Sequence, residues 1–294
     1  MKMVVFGSLN IDKTYSLEDF VRPGQTISAS KMEQFCGGKG FNQGIALRRA
    51  GNEVHFAGAV GQDGGMLLEN LDRNGINRDH VKVTAGATGH AIIQLDKRGG
   101  NCIIILAGAN GEITEADVES TLQSFGEGDL IVLQNEISCV PYILRRAHEK
   151  GMIVAFNPSP YDAKIADCDL SNVDFLLVNE VEGAGMAGCT DANAILDTLH
   201  SRYPALNIVL TLGGDGSVYQ DKNGARFTCG IHKVDAVDTT AAGDTFTGFF
   251  LSEILRHGNA EKALRIASVA AGIAVSRKGA EPSIPTMAEV EALL

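Results

Sequence analysis

Short apolar runs recur along the chain: "MVVFG", "VHFAGAV", "DLIVLQ", "MIVAFN", "VDFLLVN" and "NIVLTLG". Each is bounded by Gly, Asn, Asp or Pro and reads as a buried strand. Segments of helical period lie between them. "NQGIALRRAG" and "MLLENLDRNG" stop at a glycine. "TEADVESTLQSF" opens with Thr114 and carries Asp117 three residues on, a capping-box start. "VPYILRRAHEKG" gathers its basic residues late and ends at Gly151. Strand then helix, repeated, requires parallel strands joined by right-handed crossovers. The expected fold is therefore α/β: a doubly wound, mostly parallel sheet flanked by helices. Sheets of this kind bind ligands at the carboxyl ends of their strands. Chemistry should be sought where each apolar run stops.

Two stretches break the rhythm. Residues 12–36 contain alternating pieces around a Pro-Gly turn, and residues 83–106 read as two strands around "DKRGGN", a hairpin. Together they predict a small antiparallel sheet, either an edge meander or a lid over the strand ends. The expected organisation is a core of residues 1–11, 37–82 and 107–294 and a β lid of residues 12–36 and 83–106. The lid strands "AIIQL" and "CIIIL" expose apolar edges, which seldom stay bare, so a homodimer through the lid is expected.

Composition narrows the partners. The 294 residues carry 25 Lys+Arg against 36 Asp+Glu, a formal charge of −11. No basic run occurs, which argues against nucleic acid. The N-terminal "MKMVVFGS" breaks at Gly7 and is too short for a signal segment or a membrane span, so a cytoplasmic location is expected and no membrane partner. The cysteines are Cys36, Cys102, Cys139, Cys168, Cys189 and Cys229. Their spacing argues against a zinc site, and buried reduced thiols are expected.

The most informative stretch is "VDTTAAGDTFTGFF", residues Val237 to Phe250. From Ala242 onward, Phe246, Phe249, Phe250 and Ile254 recur at helical spacing. Gly243 and Asp244 therefore fall in the first turn, where backbone N–H groups lack partners. The small side chains of Ala241, Ala242 and Gly243 let a ligand approach those amides, and a helix N-terminus of this kind is an anion site. Asp244 either complements the helix dipole or accepts a proton from an attacking hydroxyl, with the amides steadying a phosphoryl group.

Other strand ends are polar too. Asn10 and Asp12 follow the first strand and read as an Asx turn or as a pair gripping sugar hydroxyls. "FCGGKGFNQ" supplies Gly37, Gly38, Lys39, Gly40 and Asn42 without the Walker A spacing; it is a glycine-rich turn or a loop closing over a polar ligand. Glu136 follows "LQN" as a further hydroxyl acceptor. Asn179 and Glu182 have capping-box spacing. "TLGGDG" (Thr211 to Gly216) is a hairpin turn or a bare surface under a nucleotide. "SRKGAEPS" (Ser276 to Ser283) reads as a helix stop after a long helical run that begins near Asn259.

These motifs together resemble the ribokinase (PfkB) family of sugar kinases. "GSLNID" with "GGKGFNQ" is similar to its N-terminal motif and "DTTAAGDTFTGFF" to its C-terminal one, and the likeness runs over essentially the whole chain. The resemblance implies transfer of the γ-phosphoryl group of ATP to a primary hydroxyl of a small sugar, with D-ribose favoured. It implies Asp244 as the catalytic base, with Gly243, Ala242 and Ala241 forming an anion hole. It implies Asn10, Asp12, Gly38, Lys39, Asn42 and Glu136 on the sugar. It implies Asn179, Thr211, Gly213, Gly216, Gly243 and Ser268 on ATP, and Glu182 in a Mg²⁺-linked motif. A monovalent cation, usually potassium, would be held by Asp238, Thr240, Ala274, Arg277, Gly279 and Ser283. Phe41 stands where a small residue is usual and Ile11 is larger than common; both are expected to reshape the sugar pocket.

Alternatives of other kinds remain open at this stage. A kinase for a nucleoside or for another pentose or hexose would carry the same motifs. A nucleotide-binding oxidoreductase would show G-x-G-x-x-G after the first strand, and "GSLNID" lacks it. A non-catalytic sugar- or nucleotide-binding protein would be expected to lose Asp244 or Gly243, and both are present.

Overall fold

The computed structural model describes residues 1–294. The strands, in chain order, are β1 (Met3–Phe6), β2 (Asn10–Leu17), β3 (Lys31–Gly37), β4 (Val54–Val60), β5 (Asn77–Val83), β6 (Gly89–Asp96), β7 (Asn101–Leu106), β8 (Leu130–Gln134), β9 (Ile153–Asn157), β10 (Phe175–Asn179), β11 (Asn207–Thr211), β12 (Ser217–Gln220) and β13 (Arg226–Cys229). The helices are α1 (Lys39–Arg49), α2 (Gly65–Arg73), α3 (Glu115–Leu122), α4 (Val140–Glu149), α5 (Glu180–Ala187), α6 (Ala192–Arg202), α7 (Ala242–His257), α8 (Ala260–Val275) and α9 (Met287–Glu291).

Nine strands form the main sheet in the order β13-β12-β11-β10-β9-β8-β1-β4-β5. Those from β11 through β5 in this order run parallel, and β12 and β13 add an antiparallel edge. Successive strand residues point to opposite faces. Met3 and Val5 enter one core with α1, α2, α7 and α8; Val4 and Phe6 enter the other with α3, α4 and α6. The six apolar runs are thus strands buried on both faces, as their lack of alternation requires. The chain leaves β1 for β4 on one side and fills β8 on the other. The crevice at their carboxyl ends is the switch point of the sheet.

The small sheet has the order β3-β2-β6-β7, with the β6–β7 hairpin turning at residues 97–100. It departs from expectation in three respects. β2 starts at Asn10 and β3 ends at Gly37, so Asn10, Ile11 and Gly37 are strand residues of the small sheet. Residue 83 closes β5 of the main sheet. "AIIQL" lies inside the lid, paired on both sides and half-buried, so only "CIIIL" presents an open edge. The thiols also differ from expectation. All six are free, but only Cys36 and Cys168 are buried, and Cys102 is exposed.

Two close approaches bring the site together. At the start of α1, Gly38 adopts φ 97°, and a side chain on Gly40 would run into the backbone of Gly7 and Ser8. The tip of β1 therefore touches the first turn of α1. Farther down, α1 crosses α7 so tightly that a Cβ on Gly248 would lie 2.5 Å from Ala46 Cβ and 2.8 Å from the Leu47 nitrogen. That contact lies one helical turn below Asn42 on α1 and Asp244 on α7. Gly248→Ala is expected to lower stability by about 1–3 kcal/mol through overpacking, measured by urea unfolding. An unchanged midpoint would mean that the two helices can separate freely.

Candidate active site

Loop residues 238–241 lead into α7, and Ala241 takes the N-cap position at φ 61°, left-handed for a non-glycine residue. The Ala242 N–H is used by the Thr239 carbonyl at 3.2 Å, whereas those of Gly243 and Asp244 have no backbone partner. The amides of this stretch without a hydrogen-bond partner are those of Ala241, Gly243 and Asp244. The space where a Cβ of Gly243 would sit is open. Two cavities meet there, sharing Thr211, Thr239, Ala242, Gly243 and Phe246. One of about 240 Å³ reaches Lys39, Asn179, Glu182 and Asp244. The other, of about 410 Å³, runs along Gly213, Gly216, Ile231, Val234 and Ser268.

Asp244 is not a capping residue. It is 7% exposed, and its carboxylate makes no bond to its own helix end. Instead Asn42 Nδ2 donates to Oδ2 and Gln43 Nε2 to Oδ1, both at 3.0 Å. A buried carboxylate needs such donors, because desolvation without them would neutralise it. Gln43 Nε2 also donates to Asn157 Oδ1 at 3.1 Å, and Gln43 Oε1 accepts from Gln134 Nε2 at 2.7 Å. Sequence reading singled out Asn42 but missed Gln43, Gln134 and Asn157. The latter two end the runs "DLIVLQ" and "MIVAFN". A polar residue closing an apolar strand was the available signal.

The residues expected on the sugar converge from three elements. Asn10 and Asp12 lie two apart on β2 and so share a face of the lid. Asn10 is buried, and its Oδ1 accepts from Asn110 Nδ2 at 2.8 Å. Asn110 also holds the Leu9 backbone N–H and was not anticipated from the sequence. Gly38 fits against Ser8 and Asn10. Glu136 accepts from the Ser8 hydroxyl and, at 2.9 Å, from the Lys39 backbone N–H. Burial, with Glu136 nearby, pushes the Asp12 carboxyl up to about 7. Burial likewise raises Glu136, against the opposing Ser8 hydrogen bond and Lys39 charge. Burial alone would lower Lys39, but Asp244, Glu136 and Glu182 outweigh it and hold the ammonium above its ordinary value. Lys39, expected on the sugar, lines the same cavity as Asp244 and Asn179. Phe41 and Ile11 line neither cavity. Both are buried in the core below α1 and the lid hinge.

On the nucleotide side, Asn179 caps α5 and Glu182 returns the bond to the Asn179 N–H at 3.0 Å, completing a capping box, while both line the smaller cavity. Thr211, Gly213 and Gly216 border the larger, mainly apolar cavity, which suits a flat base. Ser268 lines it too, but its hydroxyl is already engaged, donating to the Gly230 carbonyl and accepting from the His232 N–H. No group of three or more His, Cys, Asp or Glu side chains is placed to hold a metal ion. A magnesium ion here would be held chiefly by phosphate and water oxygens, with Glu182 at the cavity wall. The residues expected around a monovalent cation form one connected turn. Asp238 accepts from Thr240 N at 2.9 Å, Thr240 Oγ1 at 2.6 Å and Gly279 N at 2.9 Å. Its N–H reaches the Val275 carbonyl, beside Ala274 and Arg277, and Ser283 is bonded to Ala280. Burial would raise the Asp238 carboxyl, but the bonds from Thr240 and Gly279 and the charge of Lys278 hold it below its ordinary value. Hard carbonyl and carboxylate oxygens of this kind fit a weakly hydrated cation.

Comparison with known proteins shows the family. Residues 1–287 match the pfkB family carbohydrate kinase model. The chain is 33% identical to a ribokinase of Haemophilus influenzae, covering 98% of this chain and 96% of that one. It is 34% identical to a ribokinase of Schizosaccharomyces pombe, covering 99% and 97%. Among solved structures, Arabidopsis thaliana ribokinase complexed with ribose and ATP superposes with a TM-score of 0.88 at 30% identity, covering 99% of this chain and 97% of that one.

The raised Asp12 carboxyl has a measurable consequence. A carboxyl raised on folding contributes stability that is complete below its unfolded value and is lost as pH rises through the folded value. Compared with Asp12→Asn, the ligand-free wild-type chain should therefore lose a few degrees of Tm between about pH 5 and about pH 8. Scanning calorimetry of both proteins would show this, and a gap independent of pH would contradict it.

Proposed function

The chain belongs to the pfkB family of carbohydrate kinases, and from that premise we propose that it phosphorylates D-ribose at its primary hydroxyl, using ATP. The observation that carries this reading is Asp244: a buried carboxylate, aligned by two amides, beside the free N–H groups of an α-helix.

Asn10, Asp12 and Asn42 grip the sugar hydroxyls, with Glu136 behind them, so that the acceptor oxygen faces the mouth of α7. Asp244 takes the hydroxyl proton as the oxygen bonds to the γ-phosphorus and the bond to the β-phosphate oxygen breaks. ATP supplies the transferable phosphoryl group, and magnesium bound with it neutralises phosphate charge. The Gly243 and Asp244 amides and the Lys39 ammonium face the three phosphoryl oxygens as charge spreads over them. The apolar cavity takes the base. A potassium-sized cation at Asp238, Thr240, Ala274, Arg277, Gly279 and Ser283 would firm the loop that presents those amides. Closure of the β2–β3–β6–β7 lid would exclude water as a competing acceptor. Relatives named ribokinase at 33–34% identity favour ribose as the sugar.

Ile103, Ile104, Ile105 and Leu106 are all more than half exposed along the unpaired edge of β7. We place a homodimer contact there, lid against lid. No helix is long and apolar enough to cross a membrane. Six free thiols accord with a cytoplasmic location.

Asp244→Asn is expected to cut kcat by about 10³-fold while leaving sugar affinity by calorimetry close to wild type. Retained turnover would remove the residue as the base. In a coupled assay of ADP release over ribose, other pentoses, hexoses and nucleosides, ribose should show the highest kcat/KM, and potassium should raise it. A nucleoside substrate with silent ribose would move the chain to another branch of the family. Ile104→Lys should shift light-scattering mass from dimer to monomer.

A further inference from the structure

We propose that Gln134 is a positioning residue: acting through Gln43, it fixes which end of a buried carboxamide faces the base Asp244. The proposal deepens the reading of Asp244 as base and rests on it.

A carboxamide has a donor end and an acceptor end, and a half-turn exchanges them. For Gln43 the choice decides whether Asp244 meets an N–H or a repelling carbonyl oxygen. The surroundings specify the choice from the backbone outward. Asn157 Nδ2 donates to the Leu177 carbonyl at 2.8 Å, so Asn157 turns its Oδ1 toward Gln43. Gln43 must then present Nε2 to Asn157 and to Asp244, and its Oε1 is left facing β8. Gln134 Nε2 meets that oxygen at 2.7 Å. Both glutamines are fully buried, so water cannot take over either role.

Gln134 makes this bond at a cost. Its own Oε1 has no hydrogen-bond partner and packs against Gly7. A buried polar atom left unpaired needs a reason, since methionine would fill the same space without the penalty. The reason is the donor it turns toward Gln43. Gln134 ends β8, Gln43 lies on α1 and Asp244 on α7. The relay therefore ties the switch-point strand to the base through two side chains.

Gln134→Glu separates positioning from packing. Protonated, a glutamic acid at 134 donates to Gln43 Oε1 and preserves the native orientation. Ionised, it accepts from Gln43 Nε2 and turns the carbonyl end toward Asp244. Buried glutamates ionise as late as about pH 8–9. The ratio of Q134E to wild-type kcat should therefore fall about tenfold or more between about pH 6 and about pH 9, with sugar affinity retained. Gln43→Met, which keeps volume and removes the donor, should lose about tenfold or more in kcat at every pH, again with sugar affinity retained. A flat Q134E ratio would overturn the proposal. So would Q43M turnover within about twofold of wild type, or equal loss of sugar binding and kcat. Should Q134E fail to fold, Q43M carries the test. Wild type and Asp244→Asn serve as controls for the kinase reading itself. If wild type phosphorylates nothing, that reading fails, yet the side-chain ¹⁵N–¹H resonances of Gln43 still report its orientation. They should move with pH in Q134E and stay fixed in wild type; identical behaviour in both would overturn the proposal independently of turnover.

Discussion

A carboxylate withdrawn from water must be held by donors, or it takes up a proton and loses its use as a base. Asp244 meets that demand with two carboxamides from a neighbouring helix, and much of the molecule serves to keep them there. Asn42 and Gln43 reach it because α1 and α7 touch at Ala46 and Gly248, one turn below. The position of α1 is set in turn by Gly40 packing on the tip of β1. The free amides of Gly243 and Asp244 open beside the same carboxylate. One helix end thus carries both the buried carboxylate and the free amides.

Charge is distributed unevenly about that point. Asp12, Glu136 and Asp244 make the sugar side acidic, which suits acceptors for several hydroxyls. Lys39 faces them as the neighbouring cation, and their combined field keeps it charged despite burial. The nucleotide side is nearly uncharged and apolar. In the proposed reading a polyhydroxylic ligand and a base therefore take different ends of one crevice, with the phosphoryl group between Lys39 and the mouth of α7. The raised carboxyl of Asp12 belongs to the same economy: in the free protein it is held short of full ionisation at neutral pH, and a donating hydroxyl would favour its charged form.

The fold was legible in the sequence to a large extent because its strands are buried on both faces. Runs such as "DLIVLQ" and "NIVLTLG" have no polar alternation to confuse their reading, and β8 and β11 lie within them. The capping boxes at Thr114 and Asn179 formed as their spacing required. Less legible were features set by distant contacts. The lid edge at Asn10 depends on pairing with Gly37 and Gly89, far along the chain. Phe41 looked like a pocket residue because it sits in the glycine loop, but α1 starts at Lys39 and turns it into the core. In the site, the place of Asp244 at a helix mouth was readable. Gln43, Gln134, Asn157 and Asn110 were not, because an amide's role depends on what it meets across the fold. The local sequence says only that it is polar.

The central claim is geometric: the sugar's primary hydroxyl must come within reach of Asp244 while a phosphoryl group rests on the α7 amides. A crystal structure of the protein with ribose and a non-hydrolysable ATP analogue tests this directly. The account requires the acceptor oxygen to lie about 2.6–3.2 Å from an Asp244 carboxylate oxygen, with the terminal phosphate on the Gly243 and Asp244 N–H groups. A sugar bound with that hydroxyl turned away from Asp244, or phosphates seated away from the start of α7, would contradict it.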